Sequence, residues 1–95
     1  MLRLSAAQKQ LLEVIGNASR LKILLALWKY NKELKIYKIC QFTGLGRSAV
    51  RRHIQVLVEN GLVSKKIYGE IPLYSINKEN PITKALTDFF TKLRF

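Results

Sequence analysis

The sequence predicts a small α+β domain, mainly helical with a single β-hairpin, and three observations carry that reading. Apolar residues recur three and four apart, the helical spacing, in five separate segments. Two short runs rich in β-branched and aromatic residues, LVSKKIY and IPLYSI, flank Gly69 as the strands of a hairpin would. The chain has 95 residues, 48% of them hydrophobic, which suits one globular core and excludes a disordered chain. The expected organisation is a single domain over 1–95. It comprises an N-terminal helix within 1–16, a compact core over 17–76 and a C-terminal helix within 79–95.

Each element has a local cause. Ser5-Ala6-Ala7-Gln8 has the form of a capping box, with the Ser hydroxyl on an early amide and Gln8 reaching back. It opens a first helix that is apolar at Leu11, Leu12 and Ile15 and stops at Gly16. Asn17 caps a second helix, where Leu21, Leu24, Leu25 and Trp28 recur at i, i+3, i+4 and i+7 as far as about Tyr30-Asn31. After the connection NKELK, IYKICQF forms a brief third helix ended by Thr43-Gly44. In the fourth, at ~100° per residue, Val50, Ile54, Leu57 and Val58 share one face. Ser48, Arg52, Gln55 and Glu59 project from the opposite side, with Arg47 and Arg51 at the border, and Asn60-Gly61 ends the helix. The hairpin follows, and Pro72 is expected to confine its second strand to a sheet edge. Asn80-Pro81, an N-cap and a first-turn proline, opens the last helix. That helix carries Ile82, Leu86, Phe89 and Leu93 on one stripe, with Phe90 and Phe95 besides.

Charge narrows the function. Seventeen Lys and Arg against six acids leave a net +11, which favours a polyanionic partner, either nucleic acid or an anionic membrane surface. The charge is uneven: +6 over residues 1–46, +4 over 47–66 and only +1 over 67–95. No apolar run approaches the ~20 residues that span a bilayer. The N-terminal MLRLSAAQKQLLEVIG has Gln and Lys inside its apolar pattern and no cleavage signature, so the expected location is the cytoplasm. The lone Cys40 agrees, since small secreted domains usually carry several paired cysteines. Catalysis has no support in the sequence. It offers no nucleophile–base pair, paired carboxylates or phosphate-binding glycine loop, and GLG at 44–46 reads as a helix-connecting turn.

Helix, short Gly-containing turn, then a helix divided between apolar and cationic faces is the helix-turn-helix plan, and a hairpin after it is a wing. The second helix needs one face in the core for rigid presentation and one free to enter a major groove. Arg and Gln read guanine and adenine edges bidentately, which points to Arg51, Arg52, Gln55 and Arg47. Ser48, near the helix N-terminus, suits a phosphate. Lys65 and Lys66, on the wing's first strand, suit phosphates as well.

From about Asn17 to Ile76 the chain resembles the winged helix-turn-helix regulators of the ArsR type, with MarR-like proteins close behind. The resemblance rests on ASRLKILLAL, on YKICQFTGLGRSAVRRHIQVLVENGLV and on LYSI, which closes the wing. It implies double-stranded DNA as partner and a homodimer in which the terminal helices pair across a two-fold axis. The residues for that seam are Leu4, Leu11 and Ile15 from the first helix and Ile82, Leu86, Phe89 and Leu93 from the last. The chain departs from the metal-sensing members. Where soft-metal sensors place thiolates, ELKIYKI has Lys35 and Tyr37, and the last helix offers Asp88, with Glu79 before it, and no His. A tight transition-metal site needs three or four N, S or O ligands, so neither a metal nor a cofactor is expected. Nothing in the pattern specifies an effector.

The single His53 matches a position where a structural or phosphate-contacting role is expected rather than catalysis. Cys40 stands where the two helices of the motif cross closely, as a buried, alanine-like thiol. The wing tip carries Tyr68 and Glu70 in place of the family's frequent Arg, which argues against deep minor-groove insertion. The reading is a homodimeric, sequence-specific DNA-binding regulator. Two rivals stand beside it: an architectural protein coating DNA with little sequence preference, and a winged domain used for protein contact.

Overall fold

The computed structural model describes residues 2–95. In chain order it contains α1 (Ala6–Ile15), α2 (Ala18–Tyr30), α3 (Ile36–Thr43), α4 (Arg47–Glu59), β1 (Val63–Tyr68), β2 (Ile71–Ile76) and α5 (Pro81–Lys92). Five helices and one antiparallel hairpin make the predicted mainly helical α+β fold. The caps form as the sequence implies. Ser5 Oγ accepts from the Gln8 amide at 3.1 Å while Gln8 Oε1 accepts from the Ser5 amide at 2.9 Å. Asn17 Oδ1 accepts from the Arg20 amide and Asn80 Oδ1 from the Ile82 amide.

Helix α2 is the hub. It packs on α1, α3, α4, α5 and β2, and burial therefore runs around it rather than along one stripe. Ile23, Leu24 and Leu27 are fully buried and Ala26 nearly so, while Leu21, Leu25 and Trp28 of the sequence stripe are half-buried. The rest of the core is Leu34 from the connection before α3, Ile39 from α3, Val50, Ile54 and Leu57 from α4, and Leu62, Val63, Tyr74 and Ile76 from the wing and its approach. The terminal helices each drop one residue into it, Val14 from α1 and Phe90 from α5.

In the hairpin Val63 faces Ile76 and Tyr68 faces Ile71. The turn between them, Gly69-Glu70, has φ +63° at Gly69, the left-handed first position that a type II′ turn demands. The expectation that Pro72 makes β2 an edge strand holds only locally. Leu34, in the connection before α3, bridges Tyr74 from the other side, with N–H···O distances of 2.7 and 2.8 Å. Tyr74 thus spends its own backbone groups on Leu34. By two-residue alternation Pro72 faces the same way, beyond the end of that short contact, where its missing N–H costs nothing.

A polar clasp fixes the exit of α4. Gly61, at φ +76°, turns its carbonyl to Asn77 Nδ2 (2.8 Å) and Asn80 Nδ2 (3.0 Å). Asn60 Nδ2 caps the Val56 carbonyl at 2.8 Å, and Asn60 Oδ1 accepts from Gln10 of α1. The buried Thr83 hydroxyl closes the set against the Asn77 and Asn80 carbonyls. The start of α5 and the end of α4 are therefore one hydrogen-bonded unit.

Candidate nucleic-acid interface

The turn before α4 sets how the helix is presented. Gly44 ends α3 in the left-handed region at φ +74°, which residues with a Cβ rarely adopt. Thr43 Oγ1 steadies the turn, donating to the Ile39 carbonyl at 2.7 Å and accepting from the Leu45 amide at 3.2 Å. Gly46 is the N-cap of α4, and among the described residues no side chain caps that end. Its first-turn amides, with the ~+0.5 charge of the helix dipole, remain open to an anion.

Val50, Ile54 and Leu57 lock one face of α4 into the core at 2% exposure or less, so the helix cannot roll. The other face is wholly exposed: Arg47, Ser48, Arg51, Arg52 and Gln55. The structure thus brings all five helix-borne candidates onto one open surface. Gln55 is not free, because its Nε2 donates to Glu59 Oε1 at 3.1 Å, which points the amide along the helix.

The wing divides its two lysines. Lys65 pairs with the buried Tyr74 and Lys66 with Leu73, so they lie on opposite faces of the hairpin. Lys65 joins Arg51, Gln55 and Glu59 around a groove of about 410 Å³ between α4 and the wing, floored by Ile54, Pro72 and Tyr74. Lys66 shares the outer face with Tyr68, whose hydroxyl lies 3.4 Å from Glu33 Oε1. The tip residues Ile67, Tyr68 and Ile71 are exposed.

His53 is buried on α4, 8% exposed, and is held by a residue that sequence reasoning did not single out. Arg20 Nε donates to His53 Nδ1 at 3.2 Å, while Arg20 NH1 reaches the Glu13 and Val14 carbonyls at 3.0 and 3.3 Å. One guanidinium therefore ties the end of α1 to α2 and to α4. Burial first, then the positive charges of Arg20 and Arg52, hold the imidazole below its ordinary pKa of 6.5, so it accepts as the neutral base. Arg20 left no periodic signal because its partner stands 33 residues away.

Cys40 is half-buried against the core rather than fully enclosed. The terminal stripes divide. Ile15, Ile82 and Leu86 pack partly on the monomer core, and Leu4 and Leu11 are half-buried. Phe89 and Leu93 are 50% and 53% exposed. Leu12 and Phe95 are equally open. Among the described residues no three His, Cys, Asp or Glu side chains converge as metal ligands, and no helix is long and apolar enough to cross a membrane.

Comparison with solved structures agrees with this geometry. HlyU from Vibrio cholerae N16961 is 27% identical over 98% of this chain and 97% of its own, with a TM-score of 0.77. The transcriptional regulator HlyU from Vibrio vulnificus CMCP6 is 28% identical over 93% and 88%, at 0.75. The homodimeric winged helix-turn-helix DNA-binding domain of Mb0332 from Mycobacterium bovis is 23% identical over 99% and 91%, at 0.68, which shows the fold. No curated protein sequence matches the chain. The family model for bacterial regulatory proteins of the arsR family matches residues 17–65, more than half the chain and the span from the α2 cap to Lys65. That family is one of regulators, not enzymes, and with the winged helix-turn-helix architecture in place this chain belongs to the ArsR family of bacterial regulatory proteins.

Proposed function

We propose that the protein is a cytoplasmic, homodimeric regulator that binds double-stranded DNA sequence-specifically without a metal-sensing site. The carrying observation is the division of α4, with Val50, Ile54 and Leu57 immobilised in the core and Arg47, Ser48, Arg51, Arg52 and Gln55 exposed together. A helix so held presents guanidinium groups to a major groove without the entropy cost of ordering itself. Lys65 and the uncapped N-terminus of α4 supply phosphate contacts around that face. Phe89 and Leu93, with the half-buried Leu4, Leu11, Ile15, Ile82 and Leu86, supply the seam of the dimer. Lys35 and Tyr37 occupy the positions of the thiolates in the soft-metal sensors, so Zn(II) is expected to leave DNA affinity unchanged.

The test is selection of sites from random duplex DNA at two salt concentrations. An inverted repeat with half-sites about one helical turn apart is expected, because a two-fold dimer presents two copies of α4. One observation favours a second reading. Lys22, Lys29, Lys32, Lys35 and Lys38 are all exposed outside α4, as suits an architectural protein. Strong, salt-sensitive binding with no enriched sequence would establish that reading and displace the first.

A further inference from the structure

We propose that the outer face of α2 and α3 is a docking surface for an acidic amphipathic helix of a partner protein. Neither helix carries an acidic residue, and Glu33 in the connection between them accepts from the Tyr68 hydroxyl at 3.4 Å. A groove of about 330 Å³ runs between the two helices, lined by Leu25, Ala26, Tyr30 and Phe42 together with the exposed Lys22 and Lys29. Lys38, also exposed, stands one turn before Phe42 on the same face of α3. Exposed helix faces ordinarily mix signs, and this one is cationic throughout. The C-terminal ends of α2 and α3 bring about −0.5 charge each to this side, and the three ammonium groups outweigh them.

The apolar half of the surface decides what kind of anion it fits. Tyr30 and Phe42 are stacked, ring centroids 3.7 Å apart and planes 10° from parallel, yet they remain 44% and 39% exposed. Each ring spends one face on the other, so the pair is less a platform for a nucleic-acid base than an apolar ledge for a side chain. A DNA duplex brings phosphates for the lysines but nothing apolar for the residues between them. Lys22 and Lys29 are seven residues apart, about 10 Å along α2. A partner helix repeats its carboxylates at that same interval, with apolar residues at the turn between, and fills both the charged and the apolar parts of the groove.

Among the described residues none from α1, α4, α5 or the hairpin lines this groove. It is therefore separate from both the DNA face and the dimer seam of the proposed function, and a partner seated on it leaves the exposed face of α4 free. Neither role depends on the other.

The probe is a fluorescein-labelled, amidated peptide of two Glu-Ala-Ala-Leu-Leu-Ala-Ala heptads and a final Glu, titrated with the whole protein at low salt and followed by anisotropy. One control peptide has every Glu replaced by Gln, and another every Leu by Ala. We expect saturation with a Kd of about 10–100 µM, and at least about fivefold weaker binding of either control. Lys22→Gln/Lys29→Gln should lose the preference for the acidic peptide, and Arg51→Ala/Lys65→Ala should keep it. All four side chains are exposed, so both variants retain the core. Protein saturated with its selected duplex should bind the peptide within about twofold of the free protein. Equal binding of the Glu and Gln peptides, an unaltered Lys22→Gln/Lys29→Gln variant, or displacement of the peptide by the duplex would overturn the surface. So would a loss of duplex affinity in that variant as large as its loss of peptide affinity, which would make these lysines DNA contacts. Tighter binding of single-stranded oligothymidylate than of the peptide, lost in the same variant, would overturn it in favour of a nucleic-acid platform. Failure of the protein to bind any duplex would overturn the functional reading, and the peptide result would stand apart from it.

Discussion

Arg20 donates to His53 across 3.2 Å, and this contact joins α1, α2 and α4 at one guanidinium. It has a consequence for pH. The folded state holds the imidazole below 6.5, chiefly by burial and then by the charges of Arg20 and Arg52. Between that lowered value and 6.5 the unfolded chain binds more protons than the folded one, so stability rises with pH. The contribution is complete above 6.5 and is lost as pH falls below it. Urea denaturation at pH 7.5 and pH 5.0 should show the acid loss. His53→Gln, which keeps an acceptor for Arg20, should flatten the dependence across that window. Since His53 is the only histidine, an unflattened profile would mean that its environment is not the cause.

The two wing lysines should behave differently. Lys65→Ala removes a charge beside Arg51, on the groove between α4 and the wing. It should weaken all DNA sequences alike and lower the slope of log K against log salt by about two per dimer. Lys66→Ala, on the opposite face, should change that slope by less than half as much. Equal slopes for the two variants would show that the wing meets DNA with both faces.

Arg51 and Arg52 should differ in kind from Lys65. Loss of whichever reaches a base edge should cost about 1–3 kcal/mol and relax preference at particular base pairs. Titrating Arg51→Ala and Arg52→Ala against selected and scrambled duplexes separates the cases. Uniform weakening by both would remove direct readout by these arginines.

Adjacent phenylalanines of α5 should give opposite phenotypes. Phe90 is 3% exposed, and Phe90→Ala should cost about 3–5 kcal/mol of stability by denaturation. Phe89 is half exposed, so Phe89→Glu with Leu93→Glu should spare the fold and yield monomers by sedimentation. A dimer of unchanged strength in that variant would move the seam elsewhere.

Gly61→Ala should destabilise by about 1–3 kcal/mol, since φ +76° is disfavoured for alanine and the new Cβ would lie 3.4 Å from Asn80 Nδ2. Chemical denaturation measures it. Gly46→Ala, at φ −71° with open space around it, meets no clash and should lose only the preference of an N-cap for glycine over alanine, a smaller loss than that of Gly61→Ala.

The sequence by itself determined the features that depend on near neighbours. Ser5 and Gln8, Asn17, Gly44, Gly61, Gly69 and Asn80-Pro81 mark starts and stops through bonds or dihedrals spanning a few residues, and each does so in the fold. The face of α4 was legible for the same reason, because 100° per residue divides Val50, Ile54 and Leu57 from Arg52 and Gln55 without reference to anything distant. Tertiary structure decided whatever depends on who packs against whom. The stripe on α2 was legible, yet its fully buried set shifted to Ile23, Ala26 and Leu27 with Leu24, because neighbours surround that helix. Leu34 looked like loop until Tyr74 came alongside it. Lys65 and Lys66 had to face opposite ways by strand alternation, but only the packed hairpin decided that Lys65 is the one beside α4. Arg20 looked like one of many surface cations until the chain brought His53 to it. Pairings across 33 or 40 residues leave no period in the sequence, since loop closure and the core, not local geometry, select them.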